Sequence, residues 1–301
     1  MSPSIAVLVN PSSRRGRAAV AARRLLAELR SAGAHTTVLV GRSAADSARL
    51  AREAAEKRPD ALVAVGGDGL VNTAVQGVAG TDVPLGVLPA GTGNDIAREF
   101  GFGPSPADAA RRALHGRAVR VDAVSCAGGE RGPGFHYLSV LACGFDARVN
   151  ERVNGFAVSL GPASYLAGIA AELRSFRPVP FRLEVDGRVV EAEGMLAAVG
   201  NTRSYGGGVR VCPGARPDDG LLEAVFVHAV AVGDFLRFFP RALGGTHVDL
   251  DEVEVLTGRR VAVEAEPGPD GRPVAGYADG ERVGTVPLVC EAVPGAVHLL
   301  R

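Results

Sequence analysis

Four short apolar runs, "IAVLV" (5–9), "TTVLV" (36–40), "ALVAV" (61–65) and "PLGVL" (84–88), alternate with stretches that carry Ala, Leu and Arg at helical spacing. Runs apolar on both faces read as strands of a parallel sheet covered by helices. "RAAVAARRLLAELRSAG" (17–33) and "SAADSARLAREAAEKR" (43–58) supply the covering helices, with Ser43 as an N-cap and Gly33 as a stop. Strand, helix, strand, helix predicts an α/β layer domain over residues 1–120.

From about residue 121 the rhythm changes. "FRLEVDGRVVEAEG" alternates apolar and polar residues around Asp186-Gly187, a strong hairpin pattern, and "RRVAVEA" and "GYADGERVGTVPLV" read the same way. Residues 121–289 are therefore expected to form an antiparallel β domain, interrupted by helices at "SYLAGIAAELRSF" (164–176) and "AVGDFLRFFPRAL" (231–243). The predicted class is α/β + β, and "RAVRVDAVSC" at the junction fits either part.

In an open parallel sheet, ligands bind beyond the carboxyl ends of the strands. Four strand-to-helix turns share that edge: "NPSSRRGR" (10–17), "GRSA" (41–44), "GGDGLVN" (66–72) and "PAGTGND" (89–95). Three are built from Gly, Ser, Thr and Asn, which lets backbone N–H groups and a helix N-terminus approach an anion. One such turn alone is an ordinary connection, but several on one edge predict a phosphate cradle. The Walker and dinucleotide fingerprints are both absent, so amides, hydroxyls and a metal ion would have to hold the phosphates. Asp68 fits such a cradle if it serves Mg²⁺ or an incoming hydroxyl, which favours phosphoryl transfer. An Asx turn is the plain alternative for it.

"GGDGLVNTAVQG" (66–77) followed by "LPAGTGNDIAREFG" (88–101) resembles the catalytic domain of the diacylglycerol kinase and sphingosine kinase superfamily, particularly its soluble bacterial lipid kinases. "NPSSRRGR" is similar to the family's first nucleotide turn, "ARPDDGLLEAVFV" (215–227) to its Asp-Gly strand and "YADGERVG" (277–284) to its late Asp-Gly-Glu segment. The resemblance spans the whole chain in order. It implies a γ-phosphoryl transfer from ATP, with Mg²⁺, to a lipid hydroxyl in a cleft between an α/β nucleotide domain and a β-sandwich lipid domain. A C-terminal tail, about 290–301, would return to the first domain.

Carried over position by position, the resemblance assigns nucleotide contacts to Asn10, Pro11, Ser12, Ser13, Arg14, Gly41, Gly66, Gly67, Asp68, Gly69, Asn72, Gly91, Thr92, Asn94 and Asp95. It gives Asp68, Asp279 and Glu281 catalytic roles, and a Mg²⁺ site to Asp219 with the backbone around Arg216 and Leu221. Three positions depart from the family pattern. Leu70 stands where Thr is usual, Thr73 where Glu is usual, and Gly41 where bacterial members often carry Thr. Two other readings therefore stay open: an NAD-kinase-like enzyme sharing the Gly-Gly-Asp-Gly turn, and a catalytically silent nucleotide- or lipid-binding protein.

Asp-Gly is a common hairpin dipeptide, so "PDDG" and "ADGE" also read as plain turns, and "EVDG" (184–187) as nothing more than one. A formal net charge of zero provides no whole-protein field for nucleic acid, and none is expected as a partner. Cys126, Cys143, Cys212 and Cys290 are widely spaced and suggest neither a zinc site nor a disulfide framework. The start lacks a signal-peptide pattern, and "LLEAVFVHAVAVGDFLRFFP" is broken by Glu223, His228, Asp234 and Arg237. The expectation is a cytoplasmic protein with no transmembrane segment that meets a lipid at the inner membrane surface. The helix at 231–243 is compatible with dipping into that interface, and a homodimer is left open.

Overall fold

A computed structural model describes residues 2–10, 16–132, 134–154 and 176–301. The chain divides into two compact units, residues 1–123 with 293–301 and residues 124–292. Pro11, Ser12, Ser13 and Arg14 lie outside the described residues, as does nearly all of the helix expected at 164–176.

In the first unit, β1 (Ser4–Val9), α1 (Arg17–Ser31), β2 (His35–Val40), α2 (Ala44–Glu56), β3 (Ala61–Gly66), α3 (Asp68–Val78) and β4 (Leu85–Pro89) follow one another, then α4 (Asp95–Glu99) and α5 (Pro106–His115). β1 pairs in parallel with both β2 and β3, and β3 with β4, in registers Val7↔Val38, Val7↔Val63 and Val63↔Gly86. The end of the last strand adds to β4 in parallel at Leu299↔Leu85. The order is thus 2-1-3-4, and it reverses at β1, so the turns after β1 and β3 flank the point where such sheets bind ligands.

Every residue of β3 is buried, as a central strand with both faces covered requires. β2 departs from the sequence expectation: at the sheet margin it leaves Val38 40% and Val40 51% exposed. Ser43 caps α2 by accepting the Asp46 N–H, and Gly33, at φ +80°, follows α1 in the left-handed conformation that an L side chain resists.

The second unit is antiparallel. β5 (Ala118–Gly128) enters it and pairs with β6 (Phe135–Tyr137); then come β7 (Val140–Gly144), α6 (Phe145–Asn154), β8 (Val179–Val185), β9 (Arg188–Gly200) and β10 (Leu222–His228). The remainder is α7 (Val232–Gly244), a 3-10 turn (Thr246–Asp249), β11 (Val253–Gly258), β12 (Arg260–Ala265), β13 (Ala275–Ala278), β14 (Glu281–Thr285) and β15 (Leu288–Leu300). β9 pairs with β8 along its first half, then with β7 and β10 along its second. Side chains from both halves, among them Tyr137, Phe181, Leu183, Phe226, Val261 and Leu288, meet in one core of a β-sandwich. Val225 and Val227 of β10 point the other way, into a second core with Phe145, Phe238 and Ala242. β10 is buried on both faces, and its near-continuous apolar sequence follows from that.

Candidate functional site

The β3–α3 turn is set by backbone proximity. Gly67 caps α3, and a methyl group on Gly91 would stand 2.5 Å from the Gly67 Cα, so the two turns touch main chain to main chain and only glycine fits. Asn94 braces the second turn, its Oδ1 accepting from the Gly91 N–H and its Nδ2 donating to the Gly91 carbonyl, both at 3.0 Å. Asp68 is the first residue of α3. Its Oδ1 accepts the Ile96 N–H at 3.0 Å, which ties the first turn of α4 to the first turn of α3.

Two carboxylates converge here. A methyl group on Gly93 would stand 3.0 Å from Asp68 Oδ2 and 3.3 Å from Asp95 Oδ2. Arg98 fixes Asp95 through a 2.5 Å ion pair and also donates to the Gly93 carbonyl at 2.8 Å. Arg98 escaped the sequence reading, although its position three residues after Asp95 on one helix was the available signal. Two acidic oxygens beside glycines, next to a helix N-terminus, form a donor set that suits a hard cation shared with phosphate oxygens. Among the described residues no group of three or more His, Cys, Asp or Glu gathers as a metal cage.

The three departures from the family pattern have packing explanations. Leu70 is 8% exposed and folds back on Gly66, where a methyl group would stand 2.7 Å from its Cδ2. Thr73 donates its hydroxyl to the Gly69 carbonyl at 2.7 Å, and buried Asn72 accepts from Gln76. Gly41 is closed off: a methyl group there would sit 1.9 Å from Ser47 Oγ, so it can offer a ligand only backbone. Thr92 is exposed, and Asn10 lies directly after β1. A cavity of about 540 Å³ in this unit lies at the opposite sheet edge between α2 and α3, lined by Arg52, Arg58, Thr81 and Asp82.

In the second unit, Asp279-Gly280 is a two-residue turn joining β13 to β14, with φ +52° and +81°. Asp279 is 5% exposed. Its Oδ2 accepts the Leu138 N–H at 3.0 Å, and its Oδ1 accepts the Ser139 N–H at 2.8 Å together with the Ser139 hydroxyl. The Ser139 carbonyl in turn accepts the Asn201 and Thr202 N–H groups, and Asn201 Nδ2 donates to the Leu138 carbonyl. These contacts give Asp279, expected to share an acid–base role with Glu281, a structural task in this turn. Both its oxygens are engaged by three donors, and the carboxylate clamps the Leu138–Ser139 turn. Ser139 lies 140 residues away in the chain, so no spacing could have disclosed it.

Glu281, partly exposed, meets Arg131 at 3.2 Å. Asp219 Oδ1 accepts the Leu221 N–H at 3.0 Å in an Asx turn, which brings together two of the residues expected at the Mg²⁺ site. Arg216 faces Asp218 at 4.0 Å. Close by in sequence, Glu223 accepts the Gly214 N–H at 3.1 Å, and burial pushes its carboxyl above the usual range.

Comparison with known proteins agrees with this organisation. A family model described as the diacylglycerol kinase catalytic domain matches residues 4–126, and one described as the YegS C-terminal NAD kinase beta sandwich-like domain matches residues 139–301. The chain is 40% identical over 299 residues to a diacylglycerol kinase of Mycobacterium tuberculosis (strain H37Rv), covering 99% of this chain and 94% of the relative. It is 29% identical over 268 residues to a diacylglycerol kinase of Bacillus subtilis (strain 168), covering 85% and 84%. The crystal structure of a diacylglycerol kinase from Bacillus anthracis (strain Sterne) matches with a TM-score of 0.72 at 19% identity, over 99% of this chain and 96% of that one, a likeness of fold. The chain belongs to the diacylglycerol kinase-like superfamily and is a lipid kinase.

Proposed function

We propose that this kinase transfers the γ-phosphoryl group of ATP to the free hydroxyl of a diacylglycerol-like or long-chain-base-like lipid, with diacylglycerol the first choice because the 40%-identical relative is a diacylglycerol kinase. The observation that carries the reading is the convergence of Asp68 and Asp95 on Gly93, in a turn whose glycines leave the main chain open to phosphates. Mg²⁺ entering with ATP would be held by these two carboxylates and would neutralise charge on the phosphate oxygens. The amides at the start of α3 and the main chain of Gly67, Gly69 and Gly91 would bind the phosphates. Glu281 would accept the proton of the lipid hydroxyl.

Among the described residues no helix is long and apolar enough to cross a membrane, so the proposal has the enzyme meet its lipid at a bilayer surface. A recess of about 200 Å³ beside α7 has apolar walls from Val227, Val230, Phe238, Leu250 and Val253 and a charged rim from Asp234, Arg241 and Glu252, and is available for part of an acyl chain.

The test is transfer of radiolabelled phosphate from ATP over a panel of diacylglycerol, ceramide, sphingosine and NAD. Label in phosphatidic acid, falling on the order of a hundredfold or more in Asp68→Asn, is the expected result. Label in NAD alone, or full activity in Asp68→Asn, would sink the reading.

A further inference from the structure

Two Glu-Arg dipeptides, Glu130-Arg131 and Glu281-Arg282, lie against each other in the second unit and pair crosswise. Arg131 meets Glu281 at 3.2 Å, and Arg282 forms an ion pair with Glu130. The segment carrying Glu130 is fastened along β14. The Glu130 N–H donates to the Val283 carbonyl at 2.9 Å, and Gly129 packs so tightly on Gly284 that a methyl group on Gly284 would stand 2.6 Å from the Gly129 Cα.

Arg131 is held from three sides. Its Nε donates to the Arg282 carbonyl at 2.8 Å, its Nη2 donates to Glu281 Oε2, and its guanidinium lies over the Phe135 ring at 5.6 Å. One planar group thus spans the Glu281 side chain and the main chain of the next residue. Lysine, with a single ammonium point, cannot make that span. The two cross pairs differ in kind. Arg282 also faces Glu151 at 3.8 Å, so its pair with Glu130 belongs to a wider surface network, whereas Arg131 aims at the carboxylate assigned the proton-accepting role.

We infer that Arg131 is a positioning residue for phosphoryl transfer: its guanidinium holds the Glu281 carboxylate in the orientation from which it receives the lipid hydroxyl's proton. The inference rests on the proposed role of Glu281. It differs from a stability role because Arg131 would act only through that carboxylate, so its contribution should vanish when the carboxylate is removed.

The experiment is a kinetic cycle on the full-length enzyme with diacylglycerol in mixed micelles and ATP, using Arg131→Gln, Arg131→Lys, Glu281→Gln, the Arg131→Gln/Glu281→Gln double variant and Glu130→Gln. Arg131→Gln is expected to lower kcat on the order of ten- to a hundredfold with the KM for ATP unchanged. Arg131→Lys should recover part of the loss, and Glu130→Gln should stay within about twofold of wild type, as surface ion pairs contribute little. In the Glu281→Gln background, Arg131→Gln should reduce the residual rate no further.

An unchanged kcat in Arg131→Gln, an equal loss in Glu130→Gln, or a full additional loss in the double variant overturns the positioning role while leaving Glu281 its own. Wild-type turnover in Glu281→Gln overturns both the positioning role and the assignment of Glu281.

Discussion

The second unit contains two Asp-Gly hairpins with nearly the same backbone and the same internal task. Asp186-Gly187 joins β8 to β9 with φ +48° and +89°, and Asp279-Gly280 joins β13 to β14 with φ +52° and +81°. In each, the aspartate accepts two consecutive N–H groups from another strand connection: Arg259 and Arg260 for Asp186, Leu138 and Ser139 for Asp279. They part at the residue after the glycine. Arg188 pairs outward with Glu254 at 2.8 Å, whereas Glu281 is held by Arg131 with the charges reversed. In both hairpins the Asp-Gly pair closes the turn and ties it to a neighbour, and the two differ in the side chain delivered after the glycine, which in one of them is the proposed proton acceptor.

The largest effect expected from this contrast is on activity. Glu281→Gln should lower lipid phosphorylation about 10²–10⁴-fold, the range for loss of a general base, with little change in the denaturation midpoint. Arg188→Gln, the matching change on the other hairpin, should leave the rate unchanged. Steady-state assays beside thermal unfolding decide the point, and equal kinetic losses in the two variants would dissolve the distinction.

A smaller effect, and of another kind, is expected one turn earlier. In Asp279→Asn an amide N–H₂ must face either the Leu138 N–H or the two Ser139 donors, leaving a buried donor without an acceptor. The expected loss is about 2–4 kcal/mol of stability, with activity falling alongside because the Leu138–Ser139 turn also anchors Asn201 and Thr202. A variant that lost activity at unchanged stability would instead identify Asp279 as a chemical participant.

What was legible in the sequence follows the same division between local and distant. The strand–helix alternation, the hairpins at 186–187 and 279–280 and the Ser43 cap are local patterns, and each forms where it was expected. The edge position of β2 was not legible, because "TTVLV" resembles a covered strand until pairing leaves it at the margin. The Gly66–Asp68 turn could be recognised, but its contact with Gly91 and the convergence of Asp68 with Asp95 depend on how two turns stack. Ser139 and Arg131 sit about 140 and 150 residues before their partners Asp279 and Glu281, and the identity of a partner at that range is set by packing rather than spacing. "EVDG" read as a mere turn for the same reason, since nothing near it announces that Arg259 and Arg260 will come to its carboxylate.

That turn gives the smallest and sharpest test of the comparison. The N–H groups of Arg259 and Arg260 hold the Asp186 carboxyl below the usual aspartate range. A carboxylate with a depressed native value stabilises the fold fully above its unfolded value, about 3.9, and the contribution drains away as the pH falls through the native value. Asp186 is exposed, unlike Asp279, so solvent screening should keep the loss in Asp186→Asn to about 1 kcal/mol or less near neutrality. The difference between wild type and Asp186→Asn should be constant from pH 7 to about pH 5 and shrink below about pH 4. Urea midpoints across that range measure it, with lipid phosphorylation at pH 7 expected to be unchanged. A loss as large as that of Asp279→Asn would mean that burial is not what separates the two clamps, and a difference that grew on acidification would reverse the sign of the Asp186 contribution.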